Sequence, residues 1–228
     1  MIEMFRRYYF PAVTFLLLLL TLGAFSDNLF TDVGQPSNGD PKFIVHGLVC
    51  GAWMILLFVQ TGLIGVRNTK LHRKLGLGAI AIAIGVTLST VWLFIAAWKG
   101  WAAMSPEVKA NRFLLPGYTV FIAFALIYRR RPIWHKRLMF TGTLFMLDPV
   151  LARVYDPFVV PLFMTDWAEP QIERAFLPWF FCTWLAFFLS LAVYDIATLR
   201  RIHGITLLAS LWFGLVWIIA FTTEGQPW

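Results

Sequence analysis

The chain has 228 residues, of which 59% are hydrophobic, 17% aromatic and only 14% charged, with a formal net charge of +7 and a mean hydropathy of +0.71. A water-soluble domain carries about 45–50% apolar and about 25% charged residues because its surface must be solvated, so lipid has to replace water over most of this one. These proportions exclude a disordered chain, a disulfide-stapled secreted domain and an ordinary cytosolic enzyme, and they predict an all-α integral membrane bundle forming a single domain over residues 1–228.

A spanning helix needs about 20 mostly apolar residues, somewhat fewer when aromatics anchor its ends. The first qualifying segment, Tyr8 to Phe25, follows Arg6 and Arg7 and has the outline of a signal peptide. Ala24-Phe25-Ser26 is a poor small-x-small cleavage site, so a retained helix is expected. After an outer stretch from Ser26 to Lys42 holding Gly34, Pro36, Gly39 and Pro41 come Phe43 to Val66 and Leu75 to Trp98. Then follow Leu114 to Tyr128, with a short apolar core starting near Pro116, and Leu138 to Val160, Leu177 to Ile196 and Ile205 to Phe221. Seven spanning helices are thus predicted.

The loops between them separate by charge. On one side lie Arg6 and Arg7, Arg67, Lys70, Arg73 and Lys74, Arg129 to Arg131 with Lys136 and Arg137, and Arg200 and Arg201, which are most of the 19 basic residues. On the other lie Asp27, Asp32, Asp40, Glu107, Asp166, Glu169, Glu173 and Glu224, most of the 12 acidic ones. Basic residues collect in cytoplasmic loops, so the N-terminus is predicted to be cytoplasmic and the C-terminus outside. The same segregation accounts for the basic balance without nucleic acid as a partner.

Polar residues at membrane depth need a reason. His72, His135 and His203 stand at the cytoplasmic entrances of the third, fifth and seventh segments, with Asp195 at the same level near the inner end of the sixth. Three imidazoles and a carboxylate are the donor types of a transition-metal site or of axial haem ligation. The plainer use is interfacial and solvated histidine beside arginine and lysine. In Leu71-His72-Arg73-Lys74-Leu75-Gly76 and Trp134-His135-Lys136-Arg137-Leu138-Met139 a histidine precedes two bases and an apolar helix start, which predicts similar roles for His72 and His135.

Within the fifth segment Asp148 lies about 18 Å from Lys136 at 1.5 Å per residue, close to the midplane. An ionisable group there is a candidate functional residue by default, since its insertion costs about 2.5–3.5 kcal/mol. Thr87, Ser89 and Thr90 of the third segment are at comparable depth and are its expected hydrogen-bond partners. Pro149 deprives a carbonyl near Phe145 of its donor and predicts a kink. Arg153, five residues on, can pair with Asp148 across the kink or with Asp156 nearer the outer face. His46 sits about one turn inside the outer end of the second segment, and Cys50 follows on the same helix face. That pair admits a metal, although buried cysteine as a small apolar residue is commoner. Trp98, Trp101, Trp134, Trp167 and Trp179 fall where spans meet water, while Trp53, Trp92, Trp184, Trp212 and Trp217 are deeper and expected to pack the bundle.

His46, then Trp53 and Gln60, then His72-Arg73-Lys74-Leu75-Gly76, then His135-Lys136-Arg137-Leu138-Met139 with Arg153, and finally Asp195 before His203-Gly204 resemble a group of uncharacterised bacterial polytopic membrane proteins. The resemblance covers most of the chain from the second helix onward. It implies a multi-pass location in the bacterial inner membrane and transfers no activity. A looser similarity to membrane b-type cytochromes, in which paired ligands sit further inside the bundle, implies haem b held by His72 and His135.

Several functions are excluded by what the sequence lacks. It has no phosphate-cradling glycine loop, no His-Glu-x-x-His pair, no Gly-x-Ser-x-Gly elbow, no ladder of basic residues along a span and no lysine in the seventh segment. ATP-driven transport, zincin proteolysis, voltage sensing and a retinal Schiff base are thereby set aside, and no recognised catalytic motif remains. Two expectations stand. One is a redox-associated protein binding haem or a transition metal through His72 and His135, with His203 or Asp195 as further ligand. The other is a non-catalytic subunit whose partners are the lipid bilayer and other membrane subunits.

Overall fold

The computed structural model describes residues 2–28 and 39–223, and all regular structure among them is helical. Asp32, Gly34, Pro36, Glu224 and Trp228 lie outside the described residues. The helices are α1 (Ile2–Ala24), α2 (Pro41–Gly65), α3 (Thr69–Ala96), α4 (Pro106–Ile127), α5 (Pro132–Leu144), α6 (Asp148–Val154), α7 (Val160–Phe163), α8 (Glu169–Leu199) and α9 (Gly204–Thr222). Six of them are each long and apolar enough to cross a bilayer, and a seventh crossing results if the bent pair Pro132–Leu144 and Asp148–Phe163 counts as one span. Outward faces carry bare apolar side chains, with Ile95 73% and Leu211 71% exposed, which only a hydrocarbon surrounding tolerates over so much surface. The chain is a polytopic membrane protein.

Helix starts follow from local chemistry. Asp40 accepts from Lys42 N ahead of Pro41, Asn68 accepts from Leu71 N, and His203 accepts from Ile205 N, so each satisfies one of the orphan donors of a first turn. Pro106 and Pro132 open α4 and α5, where their missing N–H costs nothing. The fourth span begins eight residues earlier than hydropathy predicts, because Glu107, Lys109, Asn111 and Arg112 fall in its first turns and mask the helix from an apolar window.

The chain divides into two compact units, Met1–Met104 and Ser105–Trp228. In the first, α1, α2 and α3 pack antiparallel. Thr14 and Thr61 hydroxyls meet at 2.7 Å, and Arg7 Nε donates to the Gly65 carbonyl at the end of α2. A Cβ on Gly85 would lie 3.4 Å from Val49, which fixes the α2–α3 contact.

In the second unit α4 and α5 form a close hairpin through two glycines. A Cβ on Gly142 would stand 3.1 Å from both Phe121 and Ile122. One on Gly117 would stand 2.9 Å from the Trp212 indole nitrogen of α9 and 3.3 Å from the Phe145 ring. The α8 and α9 faces interlock through Phe180, Phe181, Trp184, Phe213 and Trp217, with Trp184 and Phe213 centroids 4.8 Å apart and Trp217 edge-on to Phe181 at 4.9 Å. Of the deeper tryptophans, Trp53, Trp184 and Trp217 are buried as packing residues, while Trp92 is 45% exposed and faces outward.

The expected kink is present and begins one turn before the proline. Phe145, Met146 and Leu147 donate to carbonyls three residues back, a short 3₁₀ stretch, and the axis turns by 53° before α6 starts at Asp148. Trp184 Nε1 donates to the Leu144 carbonyl at 2.8 Å, so the break is bound from α8.

Two helices end with a residue in the left-handed region, and in both it is arginine. After α2, Arg67 has φ 64°, its N–H bonds Ile64 O at 3.0 Å and Asn68 N bonds Leu63 O at 2.8 Å, the paired bonds of a Schellman motif. After α8, Arg200 has φ 60° and bonds Ile196 O at 3.0 Å, the single-bond form.

The Gly117 contact yields a direct test. Gly117→Ala should destabilise the protein by about 1–3 kcal/mol, the usual cost of overpacking, because neither an indole nor a phenyl ring yields at its near edge. Denaturant unfolding in lipid-like detergent measures it, and an unchanged midpoint would remove Gly117 as the site of closest α4–α9 approach.

Candidate functional site

The buried carboxyls of the second unit, Asp148 and Asp195, differ in how they are compensated. Asp195 on α8 is fully buried. Its Oδ1 accepts from Arg137 Nε at 2.7 Å and from Arg137 Nη2, while its Oδ2 accepts from Thr206 Oγ1 at 2.6 Å and from His203 N at 2.9 Å. Four donors fill the lone-pair directions of a carboxylate. Arg137 Nη1 donates to the Ile133 carbonyl at 2.8 Å, and Lys136 Nζ donates to the Tyr194 hydroxyl at 2.7 Å. This knot ties the first turns of α5, the last turns of α8 and the start of α9.

The knot determines what the neighbouring polar residues do. His203 is the N-cap of α9, with Nδ1 accepting from Ile205 N at 3.2 Å, which places the proton of a neutral ring on Nε2 and leaves neither nitrogen a lone pair for a metal. Its ring meets Trp134 edge-on at 5.6 Å. Burial, with Arg137 and Arg201 nearby and only partly countered by Asp195, holds its pKa below the ordinary histidine value. Asp195 and His203, expected as metal ligands, are therefore committed to holding helices. Among the described residues no three histidine, cysteine or acidic side chains converge as a metal-holding group.

The two histidines of the repeated motif each place Nδ1 beside a carbonyl of the preceding helix. His135 Nδ1 donates to the Ala125 carbonyl of α4 at 2.9 Å, and that carbonyl is one of the four at a helix C-terminus with no helical donor of its own. His72 Nδ1 lies 3.3 Å from the Gln60 carbonyl of α2. The Gln60 side chain, oriented with its nitrogen toward His72, donates to His72 Nδ1 at 2.5 Å and to the His72 carbonyl at 3.1 Å and accepts from Gly76 N at 3.0 Å, so His72 Nδ1 is an acceptor, unlike that of His135. His72 belongs to the first unit and His135 to the second. His46 Nδ1 and Ser89 Oγ are 3.0 Å apart, and Cys50 Sγ stands 3.5 and 3.9 Å from the two His46 nitrogens, beside the ring.

Asp148 is the contrasting carboxyl. It is 3% exposed at the first position of α6, and the hydrogen bond it receives comes from a neutral group, Asn111 Nδ2 of α4, at 2.6 Å. Asn111 Oδ1 is buried without a hydrogen-bond partner. Thr87, Ser89 and Thr90, its expected partners, belong to the first unit and donate to carbonyls of their own helix at Ala83 and Val86. Asn111 is five residues into α4, so Asp148 lies about 8 Å along that helix from its start. Glu107 is one turn before Asn111 on the same face, and the buried Lys109 donates to the Thr223 carbonyl at 3.2 Å, binding the end of α9. Arg153 lies in the last turn of α6, which continues through a π-helical turn at Tyr155–Val159 into α7.

Asn111 and Arg137 are the residues that sequence reasoning missed. Arg137 reads as one more base of an inner loop, and Asn111 falls ahead of the apolar window of its span. The spacing of polar residues one turn apart, Glu107 to Asn111, is the signal that could have found the second. The chain matches no family model, no curated protein and no solved structure.

Two outcomes follow from this geometry. Arg137→Met should destabilise by about 3–5 kcal/mol, since it leaves Asp195 buried and charged, and Arg137→Met with Asp195→Leu should recover much of that loss in the same unfolding assay. A histidine whose folded pKa is lowered stabilises the fold only while it is neutral, so stability should decline as pH falls below about 6.5, where the unfolded chain takes up the proton first. His203→Asn keeps an N-cap acceptor without titrating and should flatten that slope.

Proposed function

We propose that this is a seven-span protein of the bacterial inner membrane, N-terminus cytoplasmic and C-terminus outside, whose working group is the Asp148 carboxyl at the break of the fifth span. Its role is to take up and release a proton in the outer third of the bilayer. The segregation of basic and acidic loops supports the orientation, and the bent pair, counted as one span, supports a seventh crossing. The carrying observation is the difference between the two buried aspartates. A carboxylate fixed for structure is surrounded like Asp195, with a guanidinium and further donors. One meant to change charge must be stable in both states, and a single amide serves either form: it donates to the carboxylate, or turns to accept from the acid. Burial in a span without a compensating cation is costly and marks function rather than folding.

Infrared titration of the protein in lipid tests the proposal. The wild type should show a protonated-carboxyl band that grows with acidification and is missing in Asp148→Asn, while Asp148→Asn folds normally. Identical titrations of the two proteins would overturn the reading. A structural Asp148 predicts instead that only Asp148→Leu matters, by about 1–3 kcal/mol from unpaired partners.

A second reading rests on the His135 contact. A ring whose Nδ1 donates to a backbone carbonyl has the orientation that metal- and haem-ligating histidines require. A visible absorption spectrum with metal analysis of the purified protein decides it: a haem band lost in His135→Ala supports it, and a colourless, metal-free preparation defeats it.

A further inference from the structure

Arg67 and Arg200 occupy the position after a helix where glycine is the ordinary residue, because a left-handed backbone brings Cβ against the following carbonyl. They are the non-glycine residues with positive φ among those described. Each cap is complete in its backbone bonds, with Arg67 and Asn68 donating to Ile64 and Leu63, and Arg200 donating to Ile196. Glycine would therefore make the same hydrogen bonds with less strain. Something other than the helix end has to account for the side chain, and it has to do so at two separate places in the chain.

Both side chains are exposed, and neither guanidinium has a hydrogen-bond or ion-pair partner among the described residues. Each follows directly on a spanning helix, hence at the level where a span meets the headgroups. Other cations accompany them, Lys70, Arg73 and Lys74 after the first and Arg201 after the second, with no acidic residue between Val66 and Leu75 or between Ile196 and Gly204 to neutralise them. A helix C-terminus alone draws a cation, and a flexible one in the last turn suffices for that. A guanidinium set on a fixed, bonded turn offers more: a planar fork of donors held in place, which matches the oxygens of a phosphate two at a time.

We propose that Arg67 and Arg200 are binding points for the phosphate of anionic phospholipids, each formed at the expense of an unstrained helix cap. The proposal requires only that the chain crosses a bilayer, and it does not depend on which face is cytoplasmic or on the role of Asp148. The partner is the membrane itself rather than a soluble anion, since the position of both residues is fixed by the ends of spans.

Unfolding temperatures of the full chain in nanodiscs test it, comparing phosphatidylcholine alone with a phosphatidylcholine–phosphatidylglycerol mixture. In phosphatidylcholine, Arg67→Gly with Arg200→Gly should unfold at or above the wild-type temperature, because the strain is relieved. The rise that phosphatidylglycerol gives the wild type should shrink in this variant, and native mass spectrometry should find it retaining less phosphatidylglycerol. Arg67→Lys with Arg200→Lys keeps the charge and loses the fork, so its rise should be intermediate. An equal response to phosphatidylglycerol in the wild type and the glycine variant overturns the proposal, and so does a glycine variant that is less stable in phosphatidylcholine. Inorganic phosphate at matching concentration should reproduce none of the effect; if it does, the site binds a free anion and the membrane assignment is wrong.

Discussion

In hydrocarbon a backbone N–H or C=O that lacks a protein partner has no water to replace it, and this constraint organises the polar chemistry of the molecule. Helix interiors satisfy it by themselves. Helix ends and breaks do not, and there the side chains are drawn in: Arg7 to the Gly65 carbonyl, His135 to Ala125, Lys109 to Thr223 and Trp184 to Leu144. Lys109 shows how strong the demand is, since a lysine 1% exposed reaches the carbonyl after the last turn of α9. Most residues that look functional for being polar in an apolar chain are answers to this demand.

That view separates the two buried aspartates. Asp195 joins three helices because its four acceptor directions all meet donors, and the arginine that pairs with it is itself bonded to a carbonyl of its own helix. Desolvating such a pair costs more than its attraction returns unless the remaining groups are satisfied, and here every nitrogen of Arg137 and both oxygens of Asp195 are hydrogen-bonded. Asp148 has one amide, and beside that amide an oxygen with no partner. A bundle selected for stability alone would have no such arrangement at the point where a helix breaks, since leucine would pack there with less penalty.

The spans were legible in the sequence because hydropathy is additive along a helix and needs no knowledge of neighbours. The kink before Pro149 was legible for a similar reason, being a local backbone effect. Pairings were not. Arg137 and Asp195 are separated by 58 residues and by two intervening helices, and nothing in either segment indicates which helix faces which. The level of His72, His135 and His203 was read from counting residues, yet a shared level does not bring side chains together, and His203 and Asp195 were taken up by the cap and the ion pair within their own unit. The depth of Asp148 is not legible by counting from Lys136 along a straight helix, because the chain turns by 53° before reaching it.

The repeated histidine motif has a mechanical reason that holds whether or not a cofactor is ever bound. Each copy follows a tight connection between antiparallel helices, where the preceding helix presents carbonyls close to the membrane surface. Lysine or arginine could reach those carbonyls, but each loop already carries several fixed positive charges, and another in the same place would add repulsion within a few ångströms. An imidazole has both a donor and an acceptor without a fixed charge, and His135 uses its Nδ1 as donor to Ala125 where His72 uses its Nδ1 as acceptor from Gln60. Its short, two-torsion side chain also loses less freedom than lysine when held against the backbone. Histidine followed by two bases is thus what a short, basic hairpin loop selects: the bases set the side of the membrane, and the ring fastens the turn that carries them.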